Sequence, residues 1–295
     1  MTYSIVAFDP GTGQVGAAVQ SHWFGVGPIV PWARPGVGAV ATQSIAEPAY
    51  GPRLLDRLEA GEAPADALAA LLAADELAAF RQVAVVDAQG RVAVHTGERC
   101  IAFAGHEAGD GFSAQANMMA SPEVWPAMAQ AFDRAAGPLS RRLLAALHAA
   151  EAQGGDARGR QSAALLVVPS AGEAWRTVVD LRVDDDPEPL EELDRLADLR
   201  DAYDLATEGD ELTGEGRHVE AGDRYERASA LAPDNHELLF WAGLAAAQLE
   251  DLPTALQRVE RAIELQPGWR QMLDRLEPDV APGAAAVREA LVTRG

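Results

Sequence analysis

Apolar and polar positions along residues 1–182 fall into alternating strand-like and helix-like blocks. Residues 3–8, Tyr3-Ser4-Ile5-Val6-Ala7-Phe8, and residues 14–20 read as two strands joined by the turn formers Asp9-Pro10-Gly11-Thr12-Gly13. A second extended pair falls at about 27–32 and 36–43, with Arg34-Pro35-Gly36 at its turn. Two helices follow, roughly 51–60 and 64–79. In the second, Ala67, Leu68, Leu71 and Leu72 recur at helical spacing and Pro64 suits the first turn. Strand patterning returns at Gln82–Val86 and Arg91–His95 around Asp87-Ala88-Gln89-Gly90, then in short runs at about 100–104 and 111–117. Helices at about 122–135 and 138–153 precede a last strand pair, 161–168 and 174–182.

Short hairpin connections predict antiparallel sheets, and helices grouped between strand blocks predict helical layers outside them. The α+β order fits a four-layer α/β/β/α sandwich. A two-layer α/β sandwich has the same periodicity and stays open on the pattern alone. After Leu181 the composition changes. Residues 183–200 read as an acidic, proline-punctuated linker with a lead-in helix, and residues 201–295 as helix only. Within the tail, Pro233 and Pro267 are separated by the same period that pairs Gly209 with Gly243, Ala221 with Ala255, Tyr225 with Val259, Ala228 with Ala262 and Leu205 with Leu239. That period matches the tetratricopeptide repeat, giving two repeats at about 202–235 and 236–269 and capping helices at 270–293. Such a tail suits a protein partner or contact between copies, and a homo-oligomer is expected.

Composition narrows the function classes. The formal charge is −21, so nucleic acid is not an expected partner. Of the 45 acids, 16 lie in residues 1–170 and 29 in residues 171–295, so the tail is the more acidic part. All 24 basic side chains are arginine, which excludes a lysine base. Cys100 is the single cysteine, so no intrachain disulfide or cysteine-rich metal site forms. No basic-then-apolar leader precedes Thr2 and no apolar run reaches membrane-spanning length, so a cytoplasmic protein with no membrane partner is expected.

Thr2 is the leading candidate for chemistry. Removal of Met1 would place a hydroxyl and a free α-amine on one residue at the head of a strand, a nucleophile with its own base. Ser21, His22, Gln43, Gln115 and Asn117 sit at or near predicted strand ends, where they could donate to an oxyanion. Arg34, Arg99, Arg158 and Arg160 could clamp a substrate carboxylate, or pair with nearby Asp and Glu. His95 and His106 lie in a glycine-punctuated region and could also face substrate. With His22 they lack the spacing of a zinc site, so neither metal nor cofactor is expected. Cys100, in an apolar run, reads as a buried inert thiol. Gly154–Arg160 lacks the ending of a nucleotide loop.

Several stretches together resemble a known family. They are Thr2 to Ala7 with Asp9-Pro10 and Thr12-Gly13; Pro31 to Gln43; Tyr50-Gly51-Pro52; His95-Thr96-Gly97 with Cys100; Gly105-His106; Gln115 with Asn117-Met118; and Gly154-Gly155-Asp156 with Arg158-Gly159 and Gln161 to Leu165. Residues 2–182 resemble the domain of unknown function 1028 family, classed as N-terminal-nucleophile-hydrolase-like. The resemblance implies the α/β/β/α sandwich and amide-bond hydrolysis with Thr2 as nucleophile. Related folds borrow a lysine as a second base; here the α-amine or a histidine must serve. Members often carry a peptidoglycan-binding tail, replaced here by the repeats. The resulting expectation is an amidohydrolase acting on a small amide or short peptide. Thr2 attacks, Asn117 or Gln115 holds the oxyanion, and Arg34 orients a carboxylate. The alternative is a non-catalytic sandwich that binds a small ligand.

Overall fold

The computed structural model describes residues 2–294, and the chain divides into two compact units, residues 1–194 and 195–295. The first holds ten strands and four helices: β1 (Thr2–Phe8), β2 (Val15–Ser21), β3 (Pro31–Arg34), β4 (Gly38–Ser44), α1 (Tyr50–Glu59), α2 (Pro64–Ala73), β5 (Arg81–Asp87), β6 (Val92–Thr96), β7 (Gly105–Gly109), β8 (Phe112–Asn117), α3 (Val124–Arg134), α4 (Leu139–Ala152), β9 (Ser162–Val168) and β10 (Val179–Val183). They form two antiparallel sheets, a six-stranded one in the order β10-β9-β2-β1-β8-β7 and a four-stranded one in the order β3-β4-β5-β6.

Strand parity sets the layers. Val6, Val15, Ala17 and Val19 from the first sheet meet Ala39, Ala41, Ala84 and Val86 from the second, so these faces pack on each other. The opposite face of the second sheet, Val40, Val83 and Val85, packs on Leu54, Leu55 and Leu58 of α1 and Leu68 of α2. On the far face of the first sheet, the Tyr3 hydroxyl donates to Glu151 Oε1 of α4 at 2.5 Å. Each sheet therefore has one face against its partner and one against helices. Small residues on the inner faces let the sheets approach closely enough for side-chain amides to reach across.

Several predicted elements differ. Residues 100–104 are not a strand. The backbone turns at Gly97–Cys100, and the carbonyls of Ile101 and Phe103 accept from Met118 and Met119 N–H, just past the end of β8. Ile101 and Phe103 are exposed, so the apolar run forms a rim rather than a core edge, and Cys100 is only half-buried. The second helix stops at Ala73, because Asp75 turns its carboxylate back onto Leu77 N–H and a single 3-10 turn at Ala78–Phe80 leads into β5. Segment 183–200, read as an acidic linker with a lead-in helix, holds the beginning of a helix. After a short turn it becomes the start of α5 (Pro189–Gly214), whose Leu190 and Leu193 are buried, and Asp194 pairs with His148 at 2.6 Å.

The second unit is helical, continuing α5 into α6 (His218–Leu231), α7 (His236–Gln248), α8 (Leu252–Leu265), α9 (Gly268–Arg275) and α10 (Ala284–Arg294). The repeat has a packing cause. A Cβ on Gly209 would meet the Tyr225 ring at 2.9 Å, and one on Gly243 would meet Val259 Cγ2 at 2.8 Å. Each glycine lets a helix of its pair approach the next, at equivalent positions of the two repeats. Asn235 and Asp251 cap α7 and α8 through their side chains.

Candidate active site

The polar residues of the sandwich gather at one end. Thr2 pairs in register with Ser21 on β2 and Asn117 on β8, and Ser21 pairs with Ser162 on β9. These residues share the parity of Val6 and Val19, so Ser162, Ser21, Thr2 and Asn117 form one row turned toward the second sheet. Across from it stand Gln43 and Gln82, paired on β4 and β5, with Thr96 beyond on β6. An apolar interior thus ends in a layer of hydroxyls and carboxamides.

That layer is a connected network. Gln82 is its hub: its Nε2 donates to Ala116 O at 2.9 Å, Thr96 Oγ1 at 2.9 Å and Gly105 O at 3.1 Å. Its Oε1 accepts from Gln43 Nε2 at 2.7 Å and from Asn117 Nδ2 at 3.0 Å. Both of those amides also donate to the Thr2 carbonyl, at 3.2 Å and 3.3 Å. The main chain of Thr2 is therefore held from the other sheet, while its Oγ1 lies 2.9 Å from Ser21 Oγ. Thr2 is 6% exposed, and Ser21 and Gln43 are buried.

A cavity of about 420 Å³ opens over this point, lined by Thr2, Ser21 and Gln43 together with Trp23, Val26, Ile29 and Val30 from the segment after β2, Ser44 at the end of β4, and Ile45, Ala46 and Pro48 from the segment after it. Its size is that of a small-molecule site. Ser44 adopts φ +75°, which turns the chain sharply at the mouth. Arg81, at the start of β5, donates Nη1 to Ile45 O at 2.6 Å and Nε to Asp75 Oδ2 at 2.8 Å, and Tyr50 Oη donates to the same carboxylate. The segment after β4 is thus pinned from behind by a nearly buried ion pair. Arg81, foremost, and then the Leu77 N–H and Tyr50 hydroxyl hold the Asp75 carboxyl down at about 2, while Arg81 itself is consumed in the contact.

The residues singled out from the sequence separate into two groups. Thr2, Ser21 and Gln43 line the cavity and Asn117 lies directly beneath it. Others are engaged elsewhere. Gln115 Nε2 donates to Ser4 Oγ at 2.6 Å and its Oε1 accepts from Ser113, so its amide is turned into the sheet interior and is no oxyanion donor. Asn117 commits its amide hydrogens to the Thr2 carbonyl and Gln82, which rules out the same role for it. Arg34 forms ion pairs with Asp56 at 2.8 Å and Glu59 at 2.6 Å of α1, so it is no carboxylate clamp. Arg99 lies over the Phe80 ring, and Arg158 and Arg160 pair with Asp156, Glu151 and Glu188. His22 Nδ1 bonds the Arg160 carbonyl, His95 Nε2 the Ala78 carbonyl, and His106 Nδ1 the Thr96 hydroxyl. None of the three histidines lines the cavity. Burial, and then neighbouring His95, lower the His106 imidazole below its ordinary value.

Two residues of this end were not singled out in the sequence. Gln82 read only as the start of an apolar strand. Asp156, in the glycine loop, accepts from His22 N–H at 3.1 Å and from Arg158, anchoring the chain just after Ser21. The signal for Gln82 was available: Gln43, Gln82, Gln115 and Asn117 are all amides on inward parity near strand ends.

Comparison with known proteins places this site in a family. The model of a family of unknown function, DUF1028, matches residues 2–193. The chain belongs to the DUF1028 family. The crystal structure of a DUF1028 protein from Silicibacter pomeroyi superposes with a TM-score of 0.61 at 34% identity, covering 66% of this chain and 87% of that one. Every cavity-lining residue falls inside the DUF1028 match. Outside the DUF1028 family, the chain is 32% identical over 96 residues to a wheat (Triticum aestivum) Hsp70-Hsp90 organizing protein, of whose length it spans 16%. Among the described residues no helix is long and apolar enough to cross a membrane.

Proposed function

We propose that the first unit is an N-terminal-nucleophile-type amidohydrolase with Thr2 as nucleophile. The observation that carries this reading is the placement of Thr2: its hydroxyl, 2.9 Å from that of Ser21, borders a ligand-sized cavity, while its main chain is fixed by two amides from beneath. Among the described residues no Arg, His, Asp or Glu lines the cavity. The base must then be the α-amine that removal of Met1 would create; Met1 itself lies outside the described residues. The neutral amine takes the Oγ1 proton as the oxygen bonds to the amide carbon, then returns it to the nitrogen as the carbon–nitrogen bond breaks. Water, deprotonated by the same amine, adds to the ester, releasing the acid and restoring the hydroxyl. We assign the developing oxyanion to the hydroxyls of Ser21, beside Thr2 Oγ1, and of Ser44, which also lines the cavity, in the place first given to Asn117 and Gln115.

Two measurements test it. Intact mass of the purified protein must show Met1 removed, and Thr2→Ala must abolish hydrolysis of amides that the wild type cleaves. Retention of Met1, or full activity of Thr2→Ala, overturns the mechanism. Because a cavity without titratable side chains also suits simple binding, a retained Met1 would favour the small-ligand-binding alternative.

For the second unit, the two glycine-spaced helical pairs and the likeness to the Hsp70-Hsp90 organizing protein support a tetratricopeptide-type array that recruits a protein partner or a second copy of the chain. Light scattering of the full chain, with pull-down of the tail's partner, tests this part.

A further inference from the structure

From the lining of the cavity we infer that its ligand carries an uncharged, apolar acyl group, which sets the substrate class of the hydrolase reading above and rests on it. Two independent features meet here. First, the walls are Val26, Ile29, Val30 and Pro48, and the polar atoms are confined to the end where Thr2, Ser21, Gln43 and Ser44 lie. A ligand carboxylate buried against those walls would find no cationic side chain among the described residues, Arg34 being held by Asp56 and Glu59 and Arg81 by Asp75, and the α-amine proposed for Thr2 belongs to the polar end that receives the reacting carbonyl. Second, large apolar side chains stand exposed at the same end of the sandwich. Trp23 and Ile45 line the mouth at 59% and 50% exposure, with Phe24 next to Trp23 in the chain, and Ile101 and Phe103 are held beside the end of β8 by the N–H groups of Met118 and Met119. Exposed apolar clusters mark surfaces that meet apolar ligands. Polar reactive atoms at the base, apolar walls and an apolar rim together fit an acyl chain or aromatic acyl group entering carbonyl first.

In chemical terms, the carbonyl carbon bonds to Thr2 Oγ1 as its carbon–nitrogen bond breaks. The apolar group stays in the cavity and the amine departs through the mouth with the proton. Discrimination comes from burial. Each methylene moved from water into the walls is worth about fourfold in affinity, whereas a terminal carboxylate is excluded by the cost of desolvating it unpaired.

The test separates ligand class from catalysis. Full-length Thr2→Ala protein, which cannot turn substrate over, is titrated by NMR with butyramide, hexanamide and succinamate. Affinity is expected to rise about fourfold per methylene from butyramide to hexanamide, with succinamate at least 100-fold weaker than hexanamide. Equal or tighter binding of succinamate, or no gain with chain length, overturns the inference. Hydrolysis of the matching anilides by wild-type protein lacking Met1 reads the other claim: if hexanamide binds but no anilide is cleaved, the hydrolase reading fails and the ligand class stands. As a second variant, Ile45→Arg puts a cation at an exposed position on the mouth and should raise succinamate binding at least tenfold. No gain there, in a protein that still binds hexanamide, counts against Ile45 as part of the site.

Discussion

Replacing Gln82 tests whether one buried carboxamide organises this end of the sandwich. Gln82→Met keeps the side-chain length and nearly the volume but removes every hydrogen bond. The loss can be counted. Gln43 and Asn117 lose the acceptor they share, at 2.7 and 3.0 Å, and Ala116 O, Gly105 O and Thr96 Oγ1 lose their donor, at 2.9 to 3.1 Å. The two Nε2 hydrogens are shared among three acceptors, so about four bonds are lost; at about 1 kcal/mol net per bond, with a partial return from burying a thioether, destabilisation of about 3–4 kcal/mol is expected. Urea unfolding of the full chain, read by hydrogen exchange in peptides from β1 and β5, measures it in the first unit. Peptides from α7 and α8 serve as an internal control. A loss below about 1 kcal/mol would refute the view that the network, rather than the apolar core beneath it, holds the strand ends together. Gln82→Glu sharpens the point. Its carboxylate would face the Ala116 and Gly105 carbonyls, so the buried group must stay protonated. A folded-state pKa raised above the unfolded one gives stability that is present at low pH and lost as pH rises. The variant should therefore be closest to wild type in acid and worst at neutrality.

Three further outcomes follow. All four tyrosines donate to a carboxylate, Tyr3 to Glu151, Tyr50 to Asp75, Tyr203 to Glu237 and Tyr225 to Asp210, and burial followed by that carboxylate raises each above its ordinary value. The neutral phenols stabilise the fold below about pH 10 and lose that contribution as pH rises through the raised values. Absorbance of tyrosinate should stay flat through pH 10 in native protein; a normal titration there contradicts the four contacts. Asp75, held at about 2, contributes stability present above its unfolded value of about 3.9 and lost as pH falls toward about 2, so Asp75→Asn should erase that acid-sensitive step in a stability–pH profile. In the tail, Gly243→Val meets Val259 Cγ2 and the Ala255 carbonyl within about the contact limit, so overpacking should cost about 1–3 kcal/mol, read as a lower midpoint for α7 and α8 alone.

The strands of the first unit were legible because they are mostly apolar runs, buried on both faces and bounded by turn formers; β1, β2, β4, β5 and β9 match their expected runs within a residue or two. Residues 100–104 failed because an apolar run carries no mark of whether it is covered. Ile101 and Phe103 are left outside by a turn that only tertiary pairing with Met118 and Met119 creates. The site was legible in part for the same reason. Thr2, Ser21 and Gln43 are polar residues at strand ends, a local signal. Arg34 was misassigned because its partners Asp56 and Glu59 come from a helix whose placement no local pattern encodes. Gln82 was passed over although it interrupts the buried face of an otherwise apolar strand. A polar residue on an inward parity is costly unless it is paired, and that cost is itself the signal.

The direction of the amide hydrogen bonds decides what these carboxamides do. Gln43 and Asn117 both donate to the carbonyl of Thr2, not to its hydroxyl. A residue at the start of a strand frays unless it is tied down, and a nucleophile displaced by even an ångström loses much of its reactivity. Two donors converging on one carbonyl, braced from behind by Gln82, oppose that fraying at the atom where a side-chain contact would not. The Thr2 hydroxyl lies 2.9 Å from that of Ser21, at the edge of the cavity. On the proposed mechanism these amides act as positioning residues. In that proposal the oxyanion role passes to the hydroxyls of Ser21 and Ser44. On this geometry, loss of Gln43 should disturb substrate turnover through the placement of Thr2 while leaving the apolar binding walls, Val26, Ile29 and Val30, as they are.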